Sequence, residues 1–355
     1  MINTTSISIC IIAKNEESCI ERCLKSIKPL NAEIVVVDTG STDTTKDIAS
    51  RYTSSVYDFK WIDDFSAARN YSIQKANNDW ILIMDCDEWI TDFDQTSILS
   101  FMSEHSDKIG LVNHNNIMDA DNPNDLYNIS LERFFNRNYY HYIGNIHEQI
   151  KPIKNSEYKT FPISITVYHD GYCTAQVNSQ DKFKRNVSLL KKQLTNNPSD
   201  PYLLFQIGQS YFQAKQYEQA INYYEKALSQ SLNYKSTATQ MLVYSWINCL
   251  NELHRSDEAL SILPYYEDLC QYADFPLLMG HVYTNLGQYI QAMSEYLKAM
   301  TISQYHQAGA NSFLPLYHIG NINYALGNVE MAQTMYIKCG DYAPALQALK
   351  KLQEL

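Results

Sequence analysis

Apolar runs and amphipathic stretches alternate through the first part of the chain. Ser6–Ala13 is a β-rich apolar run. Glu16–Ile27 places Cys19, Ile20, Cys23, Leu24 and Ile27 at the three-and-four spacing of a helix with one buried face. Glu33–Val37 is a second short apolar run, ending at Asp38-Thr39-Gly40. Ser41–Arg51 predicts a helix with Ser41 or Thr42 near its N-cap, and Ser55–Phe59 a third strand. Phe65–Ala76 reads as a helix, and Trp80–Met84 as a fourth strand that ends at Asp85-Cys86-Asp87-Glu88. Such alternation with short connections predicts an α/β domain with a parallel, doubly wound sheet. Ligands bind these sheets beyond the C-terminal ends of the strands. The polar clusters Lys14-Asn15-Glu16, Asp38–Asp43 and Asp85–Glu88 all fall there.

The texture changes after about residue 180. The second half is helical throughout, rich in Tyr and Gln, and repetitive. Leu204, Ile207, Gly208, Tyr211, Tyr217, Ala220, Tyr224 and Ala227 resemble the tetratricopeptide pattern position by position. The pattern recurs as Gly280, Tyr283, Gly287, Tyr289, Ala292, Tyr296 and Ala299, and again as Gly320, Gly327, Ala332, Tyr336 and Cys339. A degenerate copy is anchored at Ala259. Copies starting at Pro201, Gln240, Ala273 and Phe313 imply insertions in two of the inter-repeat loops. The expected organisation is an α/β domain over 1–180, a linker helix over 181–200 and an all-α repeat domain over 201–355. Of the 28 Tyr, 18 follow residue 180, several at repeat packing positions, where they read as core.

Charge then narrows the partners. Residues 1–180 carry 15 basic and 25 acidic side chains, a net of −10 out of −11 for the chain. An acidic surface releases few counterions from a nucleic acid and is repelled by anionic lipid, so both are excluded as partners. No apolar run approaches the length of a membrane span. Ile7–Ala13 lacks a basic leader and a cleavage site, so a signal peptide is not expected. Eight Cys without a CxxC pair read as reduced thiols of a cytoplasmic protein.

Asp85 and Asp87 offer two carboxylates at a strand end, a pattern that suits Mg²⁺ or Mn²⁺ with positions left for phosphate oxygens. Asp38 ends a strand and can accept hydrogen bonds from a nucleobase or ribose, with Gly40 freeing the turn. Arg69 stands among Asp58, Asp63 and Asp64 and either contacts a diphosphate or pairs with Asp63 or Asp64. Asp43 either contacts ligand or complements a helix dipole.

Together, Ile11–Glu17, Val35–Thr45, Asp63–Asn70 and Trp80–Glu88 resemble glycosyltransferase family 2 in order and spacing. The resemblance implies a GT-A fold. It implies a UDP-sugar held by Ala13, Asn15, Glu16, Asp38, Gly40, Ser41, Asp43, Arg69, Asp85, Cys86 and His169. It further implies a Mg²⁺ or Mn²⁺ on the Asp-x-Asp. The segments ERFF (132–135), YIGNIHEQI (142–150), VYHDGY (167–172) and Lys184-Arg185-Asn186 resemble the glycocin-type peptide S-glycosyltransferases, a subgroup of that family. Cys86 departs from the small residue usual there, and Glu88 stands where a relative has an amide.

An inverting transfer needs a base for the acceptor proton. Glu148 is the candidate, with His147 as third metal ligand; the two roles can also be exchanged, or the two residues form a structural pair. Asp64 is a further carboxylate candidate for catalysis. His169 either contacts diphosphate or metal or is a satisfied core residue. A domain of net −10 has few fixed cations to meet a leaving diphosphate, which favours a metal. The expected function is transfer of a hexose from a UDP-sugar, UDP-glucose foremost, to a cysteine of a bacteriocin-type precursor peptide. The repeat domain would position the peptide or form a homodimer. The competing expectations are a transferase for a surface polysaccharide or lipid-linked glycan, and an inactive repeat scaffold; intact Asp38, Asp85 and Asp87 speak against the last.

Overall fold

A computed structural model describes residues 6–119, 122–154, 159–170 and 179–353. The chain divides into two compact units, Met1–Asn178 and Ser179–Leu355. The helix Ser179–Leu194 falls in the second.

The first unit runs β1 (Ile7–Ala13), α1 (Ile20–Ile27), β2 (Glu33–Asp38), α2 (Thr45–Ala49), β3 (Val56–Asp58), α3 (Phe65–Lys75) and β4 (Trp80–Met84). It continues with β5 (Glu88–Phe93), α4 (Gln95–Glu104), β6 (Ile109–Asp119), β7 (Asn122–Asn136), β8 (Tyr140–Ile143), β9 (Gln149–Pro152) and β10 (Thr160–His169). Eight strands form one sheet in the order β3-β2-β1-β4-β7-β6-β10-β5, and β8 and β9 pair separately. The first four are parallel, with Ala13 opposite Asp38 and Ile11 opposite Met84. β7 enters antiparallel to both β4 and β6, so the sheet is mixed beyond the predicted strands.

Both faces of the sheet are covered, which is why β1 and β4 read as continuous apolar runs. Ile9, Ile11, Leu82 and Met84 pack on one face with Ile20, Leu24 and Ile27 of α1. Cys10, Ile81 and Ile83 point to the other, with Val35, Ile73 and Phe135. Full burial of each such aliphatic side chain contributes about 1.5–3 kcal/mol. The four parallel strands therefore set a rigid floor, and their C-terminal ends hold fixed positions.

The second helix starts later than predicted, at Thr45. The stretch before it is consumed by hydrogen bonds to the loop after β1. Asn15 Oδ1 accepts from the Thr42 amide at 2.8 Å, Glu17 Oε2 accepts from the Thr44 amide at 3.1 Å, and Asp43 Oδ2 accepts from the Glu17 amide at 3.3 Å. The backbone of 41–44 has found other partners, so no helical turn forms there.

The second unit consists of helical hairpins. Pro201–Gln213 pairs with Tyr217–Leu228, Asp274–Asn285 with Tyr289–Ala299, and Phe313–Ala325 with Val329–Lys338. Each hairpin closes on a glycine against a buried tyrosine. A Cβ on Gly208, Gly280 or Gly320 would meet the ring of Tyr224, Tyr296 or Tyr336 at 2.3–2.6 Å. All three tyrosines are buried, with hydroxyls on Gln209, Thr284 and Asn321. The copy anchored at Ala259 departs physically. After the helix Thr237–Glu252 its second element is a 3₁₀ run, Glu258–Tyr265, with Pro264 inside. The insertion before Phe313 is fixed by buried Asp274, whose carboxylate accepts from the His306 and Gln307 amides at 2.8 Å each.

Candidate active site

Three loops at the C-terminal ends of β1, β2 and β4 converge, and each has a local cause. Asp38, the last residue of β2, is 4% exposed. Its Oδ1 accepts from the amides of Gly40 and Ser41 at 2.9 Å each, and Gly40 takes a φ of +106° that a side chain would disfavour. Its Oδ2 is buried without a hydrogen-bond partner. A buried, unpaired carboxylate oxygen is costly unless a ligand completes it. Ala13 O is already taken by the Thr39 amide at 2.9 Å and by Thr39 Oγ1 at 3.1 Å.

The loop after β1 is built around Asn15, at φ +57°. Its amide donates to Ser41 Oγ at 2.9 Å, and the Glu16 amide donates to Thr45 Oγ1 at 2.7 Å. Asn15, Ser41 and Asp43 thus lock the two loops together. Asp43 stands two residues before α2, and its Oδ1 accepts from the Thr45 amide at 3.0 Å and from Thr45 Oγ1 at 2.6 Å. Cys19 Sγ rests on Glu16 Oε2 at 3.1 Å.

The third loop is held by charge. Arg69, on α3 and 6% exposed, pairs with neither Asp63 nor Asp64. Its Nη2 donates to Asp85 Oδ1 at 2.6 Å and its Nε to Glu148 Oε1 at 2.5 Å. Its Nη1 is buried without a partner. Asp64 instead caps α3, accepting from the Ala67 amide at 2.9 Å and from Ser66 Oγ at 2.8 Å. That is the physical reason to remove it from the catalytic candidates. Asn70 binds the Tyr142 backbone both ways, at 2.8 and 3.0 Å, and the Phe65 amide donates to Asn145 O at 2.8 Å. Every polar residue of Ser66–Asn70 therefore ties α3 either to its own cap, to the β8–β9 hairpin, or to Asp85.

Arg133, which the sequence reading did not single out, reaches the same turn from β7. Its Nη2 donates to Asp85 Oδ2 at 2.9 Å and to Glu88 Oε1 at 2.8 Å. Glu88 Oε2 accepts from the Asp85 amide at 2.8 Å, and Glu88 Oε1 lies 2.9 Å from His114 Nε2. Glu148, Arg69, Asp85, Arg133, Glu88 and His114 form one continuous chain of charged and polar contacts. Burial raises the Asp85 carboxyl, but Arg69 and then Arg133 outweigh it and hold it well below the usual carboxylate range. Glu88 is likewise lowered, burial opposing and Arg133 prevailing. The sequence signal for this half of the site was the polar run Asn113–Asn116 inside a strand, which contributes buried His114 and Asn116.

Asp87 faces the other way. Its Oδ2 lies 3.2 Å from His169 Nε2, and His169 Nδ1 lies 2.9 Å from Asn116 Oδ1. Burial lowers the His169 pKa, but the hydrogen bond and charge of Asp87 prevail and raise it. Asp170 forms a two-point ion pair with Arg22 at 2.7 and 2.8 Å, and that guanidinium lies 3.8 Å over Trp89. Gly171 and Tyr172 of the VYHDGY segment lie outside the described residues. Lys184, Arg185 and Asn186 belong to the helix opening the second unit.

The order of these motifs on the chain agrees with a family match. Residues 8–161 match the family described as Glycosyl transferase family 2, and residues 201–234 and 277–306 match Tetratricopeptide repeat. The chain carries a family 2 glycosyltransferase domain followed by tetratricopeptide repeats. It is 31% identical over 242 residues to the SPbeta prophage-derived glycosyltransferase SunS of Bacillus subtilis (strain 168), covering 66% of this chain and 55% of SunS. The chain thus spans about half the length of that relative. A TPR repeat-containing protein of Synechococcus elongatus is 27% identical over 301 residues, covering 79% of this chain and 72% of that one. Among solved structures, the TPR protein YrrB has a TM-score of 0.40 at 22% identity, over 50% of this chain and 88% of YrrB. S. aureus TarS has a TM-score of 0.36 at 15% identity, over 82% of this chain and 55% of TarS.

The divalent cation associated with this family can be tested against the transferase domain's own donors. Among the described residues no three His, Cys, Asp or Glu side chains gather as a metal group, so Asp85, Asp87 and His147 do not form the set expected from the sequence. The reason is local. Both oxygens of Asp85 are on arginines, and His147 sits in the β8–β9 loop at φ +50° beside Glu148, which is on Arg69. Asp87 and His169 do fit: a carboxylate and an imidazole on one spot suit an ion whose remaining positions go to phosphate and water. Cys86 is buried with its thiol on Ile12 O at 3.6 Å, and burial raises it well above the ordinary thiol range, so it is a packing residue and not a ligand.

Proposed function

We propose that the chain is an inverting glycosyltransferase that moves a hexose from a UDP-sugar to a peptide side chain, a cysteine thiol foremost. One observation carries the reading. Among the buried polar atoms without partners in the described residues are Asp38 Oδ2 and Arg69 Nη1, and these belong to the two motifs expected to meet the nucleoside and the diphosphate. A ligand with a hydrogen-bond donor at one end and an anion at the other completes both.

In this reading Asp38 accepts from the uracil or ribose, and Gly40 keeps that turn open. Arg69 meets the diphosphate through Nη1. Asp87 and His169 would hold a Mg²⁺ or Mn²⁺, which when bound offsets the negative charge of the leaving group. The acceptor sulfur attacks the anomeric carbon, the bond from that carbon to the diphosphate oxygen breaks, and UDP leaves with the electron pair. Glu148 would take the thiol proton. A thiol with a pKa near about 8.5 needs only a weak base. Arg69 holds Glu148 and carries the open N–H together, so drawing its guanidinium toward a diphosphate loosens Glu148.

The resemblance of the VYHDGY segment and Lys184-Arg185-Asn186 to glycocin-type peptide S-glycosyltransferases supports a peptide acceptor, and a helical repeat unit is the kind of surface that holds one. Among the described residues no helix is long and apolar enough to cross a membrane. The test is a panel of UDP-hexoses incubated with the full chain, without acceptor and then with cysteine and serine versions of one peptide. UDP release that is lost in Asp87→Ala and a product on the cysteine peptide support the reading. Release without any peptide product points to a glycan acceptor, and no release from any donor refutes the enzyme.

A further inference from the structure

Arg133 stands at an irregularity of the sheet. β6 and β7 pair Gly110 with Phe134 and Leu111 with Glu132, so Arg133 is the one extra residue between them. Such a bulge leaves its residue without a cross-strand partner and re-aims its side chain. Pairing resumes on either side with the register shifted by one residue, and Phe134 stays opposite Leu82 of β4 and fully buried. The displaced side chain is instead directed onto the turn after β4. There one nitrogen, Nη2, serves two carboxylates, Asp85 Oδ2 and Glu88 Oε1.

The three groups make a closed frame. The Glu88 carboxylate takes the Asp85 amide, the Glu88 amide donates to Asp85 O at 3.2 Å, and Arg133 ties both side chains. His114 braces Glu88 from behind. Glu88 is 2% exposed, so without Arg133 two carboxylates would face each other in a buried turn. The next residue but one after Asp85 is Asp87, whose direction toward His169 depends on this turn. Arg69, by contrast, spans from Asp85 to the acceptor-side Glu148 and keeps an unpaired prong.

We propose that Arg133 is the positioning residue of the Asp85–Asp87 turn, placed there by the β7 bulge, and that it sets the affinity of the site for a nucleoside diphosphate without touching it. The inference rests on the glycosyltransferase reading. Arg133→Lys keeps the charge but its shorter stem ends before the position of Nη2; Arg133→Gln loses both charge and reach. The probe is UDP with Mn²⁺, measured by calorimetry, together with donor hydrolysis and thermal melting of the full chain. Groups that hold a ligating carboxylate in place cost about 10- to 100-fold when removed. Arg133→Lys should weaken UDP binding and raise the donor KM by about tenfold, with kcat within about threefold and Tm within a few degrees. Arg133→Gln should fall by about 100-fold in UDP affinity. Unchanged UDP affinity in both variants overturns the proposal. So does a loss of binding that merely follows unfolding in both, which would make Arg133 part of the scaffold only. If the wild-type chain itself binds no UDP, the glycosyltransferase reading fails first, and that outcome is distinct from either.

Discussion

Asp38→Asn separates ligand binding from folding at a single atom. The substitution is isosteric. Oδ1 accepts from two backbone amides, so the oxygen of the new amide stays there and its NH₂ takes the place of Oδ2. In the free protein an unpaired buried carboxylate oxygen is exchanged for an unpaired buried NH₂, so a desolvation penalty of about 1–3 kcal/mol is present in both forms. The melting temperature should therefore hold. In the complex a carboxylate acceptor becomes a donor that opposes the uracil N–H or a ribose hydroxyl. Losing a charged hydrogen bond costs about 1.5–3 kcal/mol, and the opposed donors add to it. The expected loss is about 2–4 kcal/mol, or roughly 30- to 1000-fold in Kd. Calorimetric titration with UDP and parallel thermal melts measure the two quantities. An unchanged Kd, or a fall in stability that accompanies the fall in binding, would refute the reasoning.

Other expectations follow from named contacts. Asp64→Ala removes the α3 cap and should cost about 1 kcal/mol in unfolding free energy, read as a lower denaturation midpoint, while the donor-hydrolysis kcat stays within about twofold. Gly280→Ala puts a methyl group 2.3 Å from the Tyr296 ring and should destabilise by about 1–3 kcal/mol, seen by chemical denaturation of the full chain. In the same unit His281 and His318 meet Nε2 to Nε2 at 3.1 Å. Burial lowers His281 to about 4, and burial together with the charge of His281 lowers His318 to about 3. Both folded values lie below the unfolded one, so the unfolded chain binds more protons between about pH 3 and 6.5. Stability is complete above that window and falls as pH drops through it, by about 2–4 kcal/mol at pH 5. Buried Asp274 and half-buried Glu295 are raised by desolvation and act in the opposite sense. The comparison is thus the wild type against a His281→Gln/His318→Gln variant, whose melting temperature should depend less on pH; equal slopes would contradict it.

The parallel half of the sheet was legible because burial on both faces leaves continuous apolar runs, and Trp80–Met84 is bounded as its sequence reads. The polar clusters at the strand ends were legible for the same reason: they interrupt those runs. What the sequence withheld was how side chains divide between binding and holding. Asn15, Ser41 and Asp43 spend polar atoms on one another's loops, a pairing across 26–27 residues that no local pattern displays. Arg69 lies beside Asp63 and Asp64 in sequence, yet helix geometry and the Asp64 cap send it to Asp85 and Glu148. Arg133 was hidden because its role depends on a register shift between β6 and β7. The repeats were readable from small and aromatic residues alone, since Gly208, Gly280 and Gly320 each face one tyrosine. The Ala259 copy was weak because its second element is 3₁₀ and not α.

In the proposed function the loops around Asp38, Arg69 and Asp87 bind a UDP-sugar and pass its hexose to a peptide thiol. Intact mass of a cysteine-containing glycocin-type peptide after incubation with UDP-glucose and Mn²⁺ tests this. One hexose increment that survives β-elimination conditions and is absent with Asp87→Ala is expected. An unmodified thiol peptide with every UDP-hexose, or an increment retained in Asp87→Ala, would contradict it.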